Sequence, residues 1–466
     1  MSWTTIKLVD QLVKIVEPSR VKFDPSDLDY YGKDWSNAAK PDPSAIVFPI
    51  SIKEIQGIVS LANKLNFPLV PSGGRTGLSG GALACGREVV VSFDRMNRIL
   101  NFDEADNLVA CEPGVITGDL KKFAESKGLF YPVDFASAGA SQLGGNVATN
   151  AGGINVLRYG MTRNWVEGMK VVTGAGELLD LNRGLKKNAT GFDFRHLFIG
   201  SEGTLGFIVE LTLELTSQPK DPTVMLLGLQ KIENTVKTLT IFKEKLNLTA
   251  FEFFSGTAMQ KVIEAKALSS PFDHIYPFYT LVEFENDCER QLNVASALYD
   301  KCISSGYVVE GVVSQSQRQA ENLWKFREGI TESIASHNPF KSDVSCRISK
   351  IPTFLRKLEK ILGGFSPHFE AVLFGHLGDG NIHINLLEPI EMDSQKFQKE
   401  CKKLSKLVFK LVQSCDGSIS AEHGIGLTKK PYLNYSRDDA ELNYMRGVKC
   451  LFDPKNIMNP GKLVDI

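Results

Sequence analysis

The sequence predicts an α+β protein of two domains and a closing C-terminal segment, on three observations. The chain has 466 residues, 43% of them hydrophobic, more than one ordinary core accommodates and enough to fill two. Residues 45–217 alternate short β-rich runs with glycine clusters, whereas after Gln218-Pro219 the composition turns to helices with occasional strands. Near the end, LFDPKNIMNPGKLVDI carries Asp-Pro and Asn-Pro pairs that mark turns closing a helix. The expected divisions are therefore 1–217, 218–417 and 418–466.

The N-terminal stretch MSWTTIKLVDQLVKIVEPSR sets Ile6, Leu8, Val9, Leu12, Val13 and Val16 at helical spacing, broken by charged residues, and predicts an amphipathic helix. It has no signal-peptide core, and no apolar run approaches the ~20 residues needed to cross a bilayer. The expectation is a soluble, cytoplasmic protein, with peripheral membrane attachment left open. AIVFPI, FPLVPS, EVVVSF, LVACEP, GMKVVTG and GFIVELTLEL predict strands, and IKEIQGIVSLANKL one clear helix among them. Beyond the division, MLLGLQ, AFEFFS, YTLVEFE and AVLFGHLG predict strands, while KFQKECKKLSKLVFKLV at 396–412 predicts a basic amphipathic helix. That helix suits a solvated surface, with a membrane or partner face as the alternative. The net charge of -1 leaves no basic field for nucleic acid or an anionic membrane. Eight scattered cysteines without CxxC or CxxCH spacing read as reduced thiols.

Three glycine clusters carry the first chemical signal. PSGGRTGLSGGA, Pro71 to Ala82, follows the strand FPLV and lacks the lysine and Ser/Thr of a Walker A loop. Its backbone amides, with Arg75 and Thr76, suit a pyrophosphate. GASQLGGNVATNAGGINVLRYGMTRNWV, Gly139 to Val166, and GSEGTLGFI, Gly200 to Ile208, add two more glycine-rich loops. Three such loops in one small domain suit a long ligand such as a dinucleotide better than they suit simple turns. VVTGAGELL resembles a dinucleotide fingerprint but lacks its third glycine and runs into a strand, so Gly174 to Gly176 predict a hairpin turn and no nicotinamide site.

PSGGRTGLSGG, GGNVATNAGG, YGMTRNWV and GSEGTLG, in this order, resemble the FAD-binding domain of the vanillyl-alcohol-oxidase (PCMH-type) flavoprotein superfamily over most of residues 40–217. The whole chain is similar to the group of D-2-hydroxyacid dehydrogenases that holds D-2-hydroxyglutarate and D-lactate dehydrogenases and glycolate oxidase flavin subunits. The resemblance implies a two-subdomain FAD-binding domain, a substrate domain with an antiparallel sheet covered by helices, and a C-terminal segment returning to the FAD domain. It implies FAD contacts from Pro71, Ser72, Gly73, Gly74, Arg75, Thr76 and Gly77. Further contacts would come from Gly144, Gly145, Asn146, Thr149, Asn150, Gly152 and Gly153, and from Glu202, Gly203, Gly206 and Ile208. The first loop has no histidine of the kind that attaches flavin covalently in some relatives, so the FAD is expected to be noncovalent. PVDFASAG departs from the PPDPSS usual in relatives.

In the C-terminal half, FGHLGDGNIHINLL sets His376 and His383 seven residues apart, and SAEHGIG sets Glu422 beside His423. Imidazoles and a carboxylate suit a borderline divalent metal with an open position, although on spacing alone such histidines are more often structural. The motifs resemble those of D-2-hydroxyglutarate dehydrogenases, which implies His376, His383 and Glu422 as ligands, His423 as base and Asn385 at the substrate. Zinc leads manganese, cobalt and iron as the metal. If Glu422 reaches the metal from an extended backbone, His423 should point elsewhere. A substrate carboxylate needs cationic donors, and WKFREGITESIASHNPFKSDVS offers Arg327, Thr331 and Lys341, the first two at i and i+4 on one helix face; taken alone Arg327 suits a surface position, and it is the match to the family's Arg-x-x-x-Thr then Lys pattern that implies substrate contact. His196, His274, His337 and His368 match no motif and are expected to be structural.

The expected reaction is FAD-dependent oxidation of a small D-2-hydroxy acid, 2-hydroxyglutarate or lactate foremost, to the 2-keto acid. Because the chain has no iron–sulfur or haem motif, electrons should leave to an external acceptor: an electron-transfer flavoprotein, quinone or cytochrome. The alternatives are a flavin subunit of a multi-protein glycolate oxidase, or a noncatalytic flavin electron-transfer protein. A homodimer is the candidate assembly.

Overall fold

The computed structural model describes residues 5–36, 38–286, 289–365 and 368–466. They form two compact units. Unit 1 comprises Met1–Gly152, Met161–Gln218 and Glu422–Ile466, and unit 2 comprises Gly153–Gly160 and Pro219–Ala421. The short insert 153–160 was expected with the N-terminal domain. It belongs with unit 2 because Ile154 packs against that unit's core and Leu157 closes on Gly378, where an added Cβ would meet its side chain at 2.7 Å.

Unit 1 carries β1 (Val21–Lys22), β2 (Ala45–Val47), β3 (Leu69–Ser72), β4 (Val89–Ser92), β5 (Ile99–Asp103), β6 (Leu108–Cys111), β7 (Leu129–Phe130), β8 (Val166–Thr173), β9 (Leu178–Leu181), β10 (Gly206–Glu214) and β11 (Thr216–Ser217). The first sheet runs β1-β2-β4-β3, the second β5-β6-β10-β8-β9, and β11 pairs with β7. Strands β2, β4 and β3 are parallel, and the second sheet is antiparallel throughout. Its β8–β9 hairpin turns at Gly176, φ +93°, where the sequence predicts a turn. The helix Ile52–Leu65 starts at Ser51, whose side chain accepts from Glu54 N, and stops at Asn66 in the left-handed region. Its Ile55, Ile58, Val59 and Ala62 pack against Leu69, Val89 and Val91 of the first sheet and Val172, Phe207 and Val209 of the second. Each such side chain contributes roughly 1.5–3 kcal/mol of burial.

In β10 alternation sends Phe207 and Val209 to that core and Ile208 to the other. A register shift between Ile208 and Glu210 then turns Leu211 and Leu213 to the second core as well. One expectation changes here: part of the second glycine cluster, read as loop, is the helix Leu143–Thr149. It packs through Leu143 and Val147 against the second sheet, and this tertiary burial overrides the poor helix propensity of Gly144 and Gly145.

Unit 2 is built on one antiparallel sheet, ordered β15-β12-β14-β13-β17-β18-β16. Its strands are β12 (Pro222–Leu229), β13 (Leu248–Ser255), β14 (Phe278–Glu285), β15 (Glu310–Val313), β16 (Phe340–Ser345), β17 (Ala371–Gly375) and β18 (Asn381–Leu386). Helices Gly256–Lys266 and Gln317–Glu328 pack through Ala258, Met259, Val262, Leu323 and Trp324 onto Leu226, Phe254, Tyr279, Leu281 and Phe374. Every residue of β13 is buried, which explains why LTAFEFFS is apolar without alternation. The basic helix Ser394–Ser414 buries Phe397, Cys401, Leu404, Val408 and Val412 and turns its lysines outward. Seven cysteines are free among the described residues, and burial pushes the Cys111, Cys346 and Cys401 thiols up to about 12. Cys288 lies outside the described residues, as do the first four residues of the expected N-terminal helix.

Candidate active site

Unit 1 contains a cleft, partly open to solvent, lined from within the segments 71–82, 142–149 and 202–208 together with Phe93, Pro113 and His423. Glycine is what lets these loops meet. A Cβ on Gly74 would stand 2.1 Å from Ala140 O, and one on Gly203, φ +69°, 2.3 Å from Pro71 Cγ. Pro71 to Gly77 line the cleft, as do Gly144, Gly145, Asn146, Thr149, Glu202, Gly203, Gly206 and Ile208. Ser72 Oγ and Gln142 Oε1 are buried without a hydrogen-bond partner among the described residues, and a Cβ on Gly145 would enter open space. Orphaned polar atoms beside a glycine-lined cleft fit a large cofactor that carries its own polar groups.

Several expected contacts resolve differently. The Arg75 guanidinium lies 5.1 and 4.7 Å from the Tyr30 and Tyr31 ring centroids and 3.4 Å from Asp94 Oδ2. Arg75 therefore lines the cleft with a carboxylate and two rings beside it. Asn150 Oδ1 accepts from Arg163 N at 3.0 Å, so Asn150 holds the chain's return and does not line the cleft. Gly152 is also absent from the lining, and Gly153 belongs to unit 2. Phe93 and Pro113 line the cleft outside the three glycine clusters, and Gln142 lines it from within the second.

His423 is fixed by contacts within unit 1. Ser79 Oγ donates to His423 O at 2.8 Å and to Gly424 O at 3.1 Å. Glu202, buried and itself left-handed at φ +52°, accepts from Ile425 N at 2.7 Å and Gly426 N at 2.8 Å. Burial pushes its carboxyl up against the opposing effect of those amides. Glu202 therefore fastens the third glycine loop to the C-terminal segment, a role the motif alone does not reveal. Glu422 and His423 do not diverge as an extended backbone would require. The chain bends there, and Glu422 Oε1 lies 3.9 Å from His423 Nε2.

In unit 2 a row of polar side chains crosses the sheet face that packs Phe254 and Phe374. Strand β18 pairs with β16, setting His383 opposite Asp343 and Asn385 opposite Lys341, and pairs with β17, setting His383 opposite Phe374. Both histidines are buried, with ring centroids 5.4 Å apart. Asp343, fully buried, accepts from Asn381 Nδ2 at 2.7 Å and Ala421 N at 3.1 Å and lies 3.6 Å from His383 Nδ1. Glu252 lies 2.9 Å from His376 Nδ1 and accepts from Arg327 Nε at 2.8 Å. Burial pushes its carboxyl up, but the charges of His376 and Arg327 prevail and hold it below the usual range. Arg327 is buried, with its guanidinium 4.7 Å from the Phe374 centroid.

Arg327 and Thr331 differ in burial, the first buried and the second exposed. The helix Gln317–Glu328 stops at Gly329 and a new turn, Ile330–Ser333, begins; Thr331 is exposed there, as is Lys341 on β16. Glu252 and Asp343 were missed because no motif surrounds them. The available signal was a lone carboxylate inside the otherwise apolar runs AFEFF and, less clearly, KSDVS.

Residues 43–182 match the FAD binding domain family and residues 218–463 the C-terminal domain family of FAD linked oxidases. The chain is 54% identical over 98% of both lengths to a D-2-hydroxyglutarate dehydrogenase of Stutzerimonas stutzeri. It is 34% identical to the mitochondrial D-2-hydroxyglutarate dehydrogenase of Rattus norvegicus, over 96% of this chain and 82% of that one. Among solved structures, p-cresol methylhydroxylase shares the fold at a TM-score of 0.77 and 14% identity, covering 100% of this chain and 98% of that one. With the glycine-walled cleft and the matched domains in hand, the chain belongs to the FAD-linked oxidase family, in the group that holds the D-2-hydroxyglutarate dehydrogenases, and is an FAD-dependent dehydrogenase.

Proposed function

We propose that the chain oxidises a D-2-hydroxy acid to the 2-keto acid, with 2-hydroxyglutarate as first substrate and lactate as second, and passes the electrons to an external acceptor. The observation that carries the reading is that His423 lines the same cleft as the glycine loops, which puts an imidazole beside the place a flavin would occupy. The relatives' names supply the substrate class. When bound, FAD supplies a hydride acceptor at N5, and a divalent metal, zinc foremost, supplies a Lewis acid that acidifies the substrate hydroxyl.

The residues of this chain do the rest. His423 takes the C2 hydroxyl proton on a ring nitrogen, and Ser79 and Glu202 hold the backbone that presents it. Arg327 spends one N–H on Glu252, and a guanidinium has five, so it can still grip a substrate carboxylate with two parallel bonds. Lys341, Asn385 and Thr331 are further substrate contacts. His376, His383 and Glu422 are the metal ligands; two buried imidazoles, one backed by a carboxylate, are a donor set that fits. The FAD is held noncovalently by the three loops.

The test is anaerobic flavin absorbance on mixing with D- and L-2-hydroxyglutarate, D- and L-lactate, malate and glycolate. D-2-Hydroxyglutarate should bleach the oxidised band. His423→Ala should slow that single-turnover reduction by on the order of 10²-fold or more, and an unchanged rate would remove His423 as the base.

A further inference from the structure

We propose that Glu252 is a positioning residue for this reaction, one carboxylate that holds both His376 and Arg327 in their working arrangement. The proposal rests on the reading of His376 as a metal ligand and Arg327 as the substrate grip; its own support is geometric. His376 Nδ1 lies 2.9 Å from Oε1 and 2.8 Å from Oε2 of Glu252, and Arg327 Nε donates to Oε2 at 2.8 Å. Glu252 is 1% exposed, so an ionised carboxylate there survives only with its partners in place.

Three elements far apart in sequence converge on this one group. The pairing of Phe254 with Phe374 and Phe253 with Gly375 brings Glu252 opposite His376, one step beyond the end of β17. Arg327 arrives from the last turn of the helix Gln317–Glu328. An ionised carboxylate only accepts, so the proton between Glu252 and His376 resides on Nδ1 and ligand chemistry is directed to Nε2. Arg327 is bonded through Nε, which leaves the orientation of its planar fork to Glu252 and the Phe374 ring. Because Glu252 sits inside a strand buried along its whole length, its position is set by the sheet and not by a loop.

A second carboxylate on the same face, half-buried, supplies the control. Glu283 of β14 stands opposite Ala250 and is bonded by Thr249 Oγ1 at 2.6 Å and Trp324 Nε1 at 2.7 Å, a pair of partners distinct from His376 and Arg327. Wild type, Glu252→Gln, Glu283→Gln and His376→Ala would be prepared with full flavin content and their zinc affinity measured by competition with a chromophoric chelator. Single-turnover flavin reduction by D-2-hydroxyglutarate would give the substrate dependence separately.

Glu252→Gln should weaken zinc by about 10–100-fold and raise the substrate concentration giving half-maximal rate. Glu283→Gln should change neither. If His376→Ala loses zinc while Glu252→Gln keeps wild-type affinity and substrate dependence, the positioning role is overturned and the ligand reading stands. If His376→Ala keeps wild-type affinity, the ligand reading falls and takes this proposal with it. Should Glu252→Gln fail to fold, Glu252→Asp retains the charge on a side chain one methylene shorter. It should bind zinc more weakly than wild type, and equal affinity would count against the role.

Discussion

The cleft of unit 1 is drawn from three glycine-rich segments, and its lining guanidinium, Arg75, stands beside Asp94 and two tyrosine rings. The polar row of unit 2 is made of charged and ring side chains set across neighbouring strands, each answered by another within 3.6 Å. The first arrangement depends on what is missing, namely side chains where loops approach. The second depends on what is present, a carboxylate bonded to His376 and another 3.6 Å from His383. Damage should therefore take opposite forms: adding one methyl group should disable the cleft, whereas removing one charge should disable the row.

The largest effect on the cleft side is expected for Gly74→Ala. Its new Cβ would lie 2.1 Å from Ala140 O and 2.9 Å from Ser141 Cα, and both are backbone atoms that cannot turn aside. A cost of about 1–3 kcal/mol in stability and near-complete loss of bound flavin are expected, read by thermal unfolding and the flavin-to-protein absorbance ratio. Retention of full flavin would mean that the first loop does not need its close approach to residues 140–141.

Gly145→Ala sharpens the same point with a smaller effect. Nothing lies within 4 Å of its would-be Cβ, and the residue is inside the helix Leu143–Thr149. Alanine there should leave the flavin-free protein as stable as before, or more stable by up to about 1 kcal/mol. The methyl group would nevertheless occupy the cleft wall and weaken FAD by on the order of tenfold, an affinity loss equivalent to about 1.4 kcal/mol. Equal FAD affinity in a titration would show that the cofactor does not approach this wall.

The same contrast explains what is legible in the sequence. The cleft is encoded in consecutive residues, so PSGGRTGLSGGA and GSEGTLGFI announce a ligand-binding nest by themselves. Even there, the surroundings of Arg75, the rings of Tyr30 and Tyr31 and the carboxylate of Asp94, are not announced by the loop that carries it. The row is assembled by strand pairing that brings 252, 343, 376 and 383 together and by the helix that delivers 327, and periodicity does not state which elements will be neighbours. Its two histidines are legible through their motif. Glu252 and Asp343 are not, and neither is the break at Gly329, which the helical spacing of Arg327 and Thr331 passes over. The adjacent pair Glu422 and His423 needs one more fact, the bend that brings their side chains together.

The smallest predicted effect separates the two carboxylates of the row. Burial pushes the Glu283 carboxyl above its ordinary value of 4.5, the bonds from Thr249 and Trp324 opposing it and the charge of Glu252 adding to it. The folded protein then holds this proton more tightly than the unfolded chain, so stability contributed at Glu283 falls as pH rises from about 4.5 through the raised folded value. Glu283→Gln is neutral at every pH and keeps an oxygen for the Trp324 bond. In urea unfolding it should match or exceed wild type at pH 7, by on the order of 1 kcal/mol, and lose that advantage below pH 4.5, where glutamate is protonated in both states. The same replacement at Glu252 should destabilise at pH 7, because it takes the anion from between Arg327 and His376. If Glu283→Gln also destabilises at pH 7, the upward push of burial on this carboxyl does not cost stability, and the distinction between the two carboxylates of this sheet face is lost.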